Sequence, residues 1–131
     1  MRLKEYLQEI GETYAAIARR IEELIEVLNT AEGRHGQELA KRIIPFLKQL
    51  DQSVEVEERL ARRELPKEKA IAFLRLCRQE LDEIKELKAY IALAGRKPTP
   101  EAITKINALY RSITKNIEEE KKIAALCASF R

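Results

Sequence analysis

The chain has 131 residues, 45% of them apolar and 36% charged, with four glycines, four prolines, two cysteines and no tryptophan. A chain of this length suits one domain, residues 1–131, able to bury about two-thirds of its unfolded surface without help from disulfides or metal. Its 25 basic and 22 acidic side chains leave a formal charge of +3, too small by itself to mark a polyanion binder, and the scarcity of glycine and proline excludes sheet-rich and low-complexity classes.

The first helix is expected from about Arg2 to Thr30. Leu3, Leu7, Ile10, Tyr14, Ile17, Ile21, Leu24 and Leu28 recur at alternating spacings of four and three, which keeps one seam pointed at a partner. Two glycines between Ala31 and Gly36 break the pattern and read as a turn. A second helix follows from Gln37 to about Glu64, with Leu39, Ile43, Phe46, Leu50, Val54 and Leu60 facing inward. Pro45 removes a backbone donor and is expected to kink or split it near Ile44; Ser53 offers an N-cap for a second break.

The third helix is expected to open on Pro66 as its first residue and to end before Gly95. Its stripe reads Ala70, Leu74, Cys77, Leu81, Ile84, Leu87 and Ile91. Thr99-Pro100-Glu101 is a start signal of cap, N1 proline and first-turn acid. The fourth helix then carries Ile103, Ile106, Tyr110, Ile113, Ile117, Ala124 and Cys127 inward. Short connections make consecutive helices antiparallel neighbours. The fold is therefore all-α: an up-down-up-down antiparallel four-helix bundle with a kinked or broken second helix.

No residue set for catalysis stands out, and neither a cofactor nor a metal is expected. A carboxylate-bridged di-iron bundle needs two Glu-x-x-His motifs, whereas this chain has one histidine, His35, in a turn. Cys77 and Cys127 both lie on apolar stripes, offset by roughly 15 Å along the bundle axis at helical rise, beyond disulfide reach. They read as buried thiols in a reducing compartment. Glu55-Glu57-Glu58 and Glu118-Glu119-Glu120 read as solvated faces. Glu120 falls on the seam when the repeat is extended from Ile117; the preferred reading is a local slip in phase that gives Ile123 the core position, and the alternative is a buried functional carboxylate. Met1 to Glu5 lacks the apolar run of a secretory leader, and the longest apolar run, Ala89 to Ala94, is too short to span a membrane. The expected location is the cytoplasm.

Basic residues are more suggestive. Arg59, Arg62, Arg63, Lys67, Lys69, Arg75 and Arg78 are opposed in their segment only by Glu64 and Glu68. A bundle places this segment at the corner between the second and third helices. Arg34, Lys41, Arg42, Arg96 and Lys97, with His35 and Lys105, gather at the opposite end. Concentrated lysine and arginine neutralise phosphates with little sequence preference. The same residues are equally well read as a surface that keeps the bundle soluble. Late in the first helix, Ile25 and Val27 widen the apolar face beyond a seam, a margin suited to a homo-oligomer interface.

Phe73-Leu74-Arg75-Leu76-Cys77, Glu80-Leu81, Lys88-Ala89-Tyr90-Ile91-Ala92-Leu93-Ala94 and the Thr99-Pro100 opening of an isoleucine-rich helix form a pattern. Together with Gly33-Arg34-His35-Gly36 and Glu38-Leu39-Ala40-Lys41-Arg42-Ile43, it resembles the four-helix-bundle family of the accessory variability determinant of diversity-generating retroelements and of the proteins encoded in ribosomal RNA intervening sequences. The resemblance spans about residues 33–117. The chain departs from the family late in the fourth helix, where Thr114-Lys115-Asn116-Ile117 stands in place of a Gly-Trp-like pair. The resemblance implies a non-enzymatic accessory subunit that forms homopentamers and binds RNA and a reverse transcriptase through basic surfaces. The alternative is a helical interaction or scaffold module that oligomerises without binding nucleic acid.

Overall fold

The computed structural model describes residues 2–30 and 33–128, without the side chains of residues 33, 34, 127 and 128. It contains four helices: α1 Leu3–Asn29, α2 Gly33–Glu64, α3 Lys67–Arg96 and α4 Pro100–Ala128. Each packs against its sequence neighbours, and α1 closes against α4. Partner numbers fall along α3 as they rise along α2: Ala40 meets Gly95, Asp51 meets Lys88 and Glu57 meets Cys77. The bundle is thus antiparallel, as the short connections require.

The α1 stripe forms as the spacing predicts, with all eight of its apolar residues buried. Arg2 precedes α1 in extended conformation, and the helix start is tied to the end of α2 by the Leu3 amide, which donates to Glu64 Oε2 at 2.9 Å. Thr99 caps α4 as expected: its Oγ1 accepts from the Ala102 amide at 3.1 Å, and Pro100 is the first helical residue.

Several local expectations are revised. The glycine-bearing segment from Gly33 to Gly36 is the first turn of α2, with His35 exposed on it. Pro45 lies exposed inside α2 and does not split it, because a proline on the solvent face costs one internal hydrogen bond but no core contact. Ser53 starts no new helix; its hydroxyl donates back to the Leu50 carbonyl at 2.6 Å. Pro66 stands at the N-cap position just outside α3, and Gly95 is inside the helix, one residue before its end. A Cβ on Gly95 would stand 3.0 Å from Ala40 Cβ, so glycine there lets α2 and α3 approach closely. On α2 the core position belongs to Leu47 and not Phe46; on α3 it belongs to Phe73 and Glu80 and not Leu74 and Leu81. The Cys127 side chain, and with it the expected cysteine offset, lies outside the described residues. No described helix is long and apolar enough to cross a membrane.

Candidate functional site

Two features of the bundle carry chemistry: its basic ends and a set of carboxylates in its core. The last two turns of α2 and the first three of α3 meet at Leu65-Pro66. This brings Arg59, Arg62, Arg63, Lys67, Lys69, Arg75 and Arg78 to one end of the bundle, all exposed. Arg62 pairs with Glu58 at 3.8 Å and Arg63 with Glu64 at 4.0 Å. The other five make no ion pair among the described residues. Arg59 and Arg63 flank a shallow groove floored by Tyr6, Val56 and Leu60. At the other end, Lys41, Arg42, Arg96 and Lys97 are exposed, and Lys41 and Arg96 line one groove across the close α2–α3 contact at Gly95. The Arg34 side chain lies outside the described residues. Ile25 and Val27 are half-buried against the core, so much of that margin is already covered within the chain.

The core carboxylates arise from the same periodicity that builds the stripes. On α2, Leu50, Val54, Glu57 and Ala61 occupy one stripe at spacings of four and three. On α3 the stripe runs Phe73, Cys77, Glu80, Ile84 and Leu87; on α4 it runs Ile113, Ile117, Glu120 and Ala124. Each helix thus places one acid in a core slot. Glu57, Glu80 and Glu120 are all 0% exposed. The expectation of solvated faces fails for Glu57 and Glu120. The phase does not slip at Glu120, and Ile123 is half-buried beside it. Hydropathy hides Glu80 by favouring its neighbour Leu81. Strict continuation of the spacing from Cys77 to Ile84 identifies it.

The three acids and Cys77 form one cluster. One ligand atom each from Glu57, Cys77 and Glu120 lie within 4.8 Å of one another. The Cys77 thiol stands 4.0 Å from Glu57 Oε2. Glu57 Oε1 and both oxygens of Glu80 and Glu120 are buried without a hydrogen-bond partner among the described residues. Just outside, Asn116 Nδ2 donates to Glu83 Oε1 at 3.1 Å, and the Tyr14 hydroxyl donates to the Tyr110 carbonyl at 3.0 Å. No lysine or arginine is buried among the described residues. Burial, reinforced by the mutual charges of the acids, pushes Glu57 and Glu120 well above the usual carboxylate range. Burial also raises Glu80, against a facing Glu120 carboxyl that pulls it down. The Cys77 thiol is raised by burial first and then by the neighbouring carboxylates, Glu120 foremost.

No protein-family model, curated protein or solved structure matches the chain.

Proposed function

We propose that this chain is a non-enzymatic accessory bundle that binds RNA through its basic α2–α3 end. The observation that carries the reading is the set of seven exposed cations there, five of them outside any ion pair among the described residues. Unpaired, solvated guanidinium and ammonium groups on rigid helices suit phosphate neutralisation, which supplies affinity and register with little base readout. The resemblance across residues 33–117 supports RNA over other polyanions, and extends the proposal to a reverse transcriptase partner and a homopentameric ring in the cytoplasm.

Fluorescence anisotropy with a labelled single-stranded RNA at two salt concentrations tests it. Affinity is expected to fall steeply with salt, and Lys67→Glu with Arg75→Glu, two of the five cations outside any ion pair among the described residues, to weaken binding and flatten the salt slope by about two contacts. Absence of binding at low salt, or binding indifferent to the double charge reversal, refutes it. A discrete, nuclease-insensitive oligomer without RNA affinity would instead identify a scaffold module.

A further inference from the structure

We infer that the bundle core holds a divalent transition-metal site built from Glu57 of α2, Cys77 of α3 and Glu120 of α4, with Glu80 of α3 adjoining it. The inference is independent of the RNA reading: it concerns side chains wholly inside the bundle.

The first support is charge. Three carboxylates share one core layer, each 0% exposed, with no buried cation among the described residues. A buried carboxylate is tolerated when it is paired, metal-bound or neutralised by a proton. Protons remove the charge, and one shared between the facing Glu80 and Glu120 carboxyls joins those two groups, which meets only part of the need for partners. Five buried oxygens of Glu57, Glu80 and Glu120 meet no donor among the described residues beyond such a shared carboxyl proton, and buried carboxyl oxygens need partners. A cation in their midst answers both requirements, because it takes up negative charge and lone pairs together.

Geometry is the third support. Ligand atoms of Glu57, Cys77 and Glu120 converge within 4.8 Å, and the Cys77 thiol stands 4.0 Å from Glu57 Oε2. Tetrahedral bonds of about 2.0 Å to oxygen and 2.3 Å to sulfur set ligand atoms about 3.5 Å apart. Contraction onto an ion therefore asks for side-chain rotation of an ångström or so, with no movement of the helices. Cys77 and Glu80 stand three residues apart on α3, so Glu80 borders the three ligands from the same helix face, against Glu120.

The donor set selects the ion. Thiolate beside carboxylates, with no imidazole, suits Zn²⁺, Co²⁺ or Fe²⁺; Mg²⁺ and Ca²⁺ take oxygen alone. On binding, the thiol proton and the protons held among the carboxyls leave to solvent, so uptake releases acid.

The test uses untagged full-length protein, stripped with a chelator, dialysed, and titrated with Co²⁺ and then Zn²⁺. The expected result is one ion per chain, a sulfur-to-cobalt charge-transfer band in the near ultraviolet, and displacement of that band by Zn²⁺. Cys77→Ser is expected to abolish the band while leaving the helical circular dichroism intact. Glu57→Gln with Glu120→Gln is expected to weaken Zn²⁺ binding at least about 100-fold. A stripped, folded protein that takes up neither ion at millimolar concentration overturns the inference. So does a cobalt band of equal strength in Cys77→Ser, which would place the ion elsewhere.

Discussion

Glu120 gives the sharpest test of the buried cluster in metal-free protein. Burial and the neighbouring Glu80 and Glu57 push its carboxyl up to about 12, against 4.5 in the unfolded chain. It is faced by Glu57 from α2 and by Cys77 and Glu80 from α3, with Tyr14 of α1 beyond Glu80. Such an acid contributes stability that is fully present below its unfolded value and is lost as pH rises towards its folded value. Folding at about pH 7.5 requires Glu120 to take up a proton, at about 1.4 kcal/mol per pH unit above the unfolded value. From the unfolded value of 4.5 to about pH 7.5 the penalty therefore grows to about 4 kcal/mol. Glu120→Gln keeps the shape and removes the titration. Every other ionisable group is common to both chains, so subtracting wild type from variant isolates this one, apart from its coupling to Glu80 and Glu57. The variant is expected to gain stability relative to wild type between about pH 4.5 and 7.5, by up to about 4 kcal/mol, whatever fixed cost the buried amide adds. Urea unfolding in chelator, followed by helical circular dichroism across this range, measures the difference. Parallel pH curves for the two proteins, or a variant that loses ground as pH rises, would refute the reasoning.

Other expectations follow from packing and backbone geometry, each read by thermal or urea unfolding. Phe73→Ala empties a fully buried site and is expected to cost about 3–5 kcal/mol. Pro45→Ala restores a hydrogen-bond donor on the exposed face of α2 and is expected to stabilise by about 1–3 kcal/mol. Gly11→Ala is expected to stabilise by about 0.5–1 kcal/mol, because the added methyl meets only the flexible end of Lys121. Gly95→Val is expected to destabilise by about 1–3 kcal/mol, because Ala40 and the backbone at Gln37 stand behind the new side chain.

The architecture was legible because four amphipathic stripes and three connectors leave little choice of topology. All eight positions read on α1 are buried, and the Thr99 cap sits where its sequence signal put it. Register was legible only where hydropathy and periodicity agree. On α3 they conflict: keeping Cys77 and Ile84 in phase requires Glu80 inside, whereas a hydropathy rule moves the stripe to Leu81. The structure follows the period. The same conflict hides Glu57 among the acids of α2 and Glu120 among those of α4. Gly95 misleads for another reason. A glycine near a helix end signals a terminus in one dimension, while here its purpose is the distance to Ala40 on a neighbouring helix, which only the packed bundle reveals. The basic positions were legible as exposed, since nothing in the stripes needed them.

Stability does not explain why three acids occupy one core layer. Apolar residues of similar volume at buried ionic positions are commonly neutral or stabilising by about 1–4 kcal/mol, and the surrounding slots hold Val54, Ala61, Ile84, Ile113 and Ile117 without difficulty. Three helices each place one acid in the apolar repeat, and Glu57 and Glu120 coincide in space beside Cys77 with Glu80 against Glu120. A chance polar residue on one stripe would face apolar neighbours. Coincident acids from α2, α3 and α4 satisfy one another only through something shared, whether a cation or protons. The two differ in sign of response: a cation-bound cluster tightens as pH rises and the ligands deprotonate, and a proton-held cluster loosens. Stability measured against pH with and without Zn²⁺ therefore separates a metal centre from a buried acid cluster without reference to any activity.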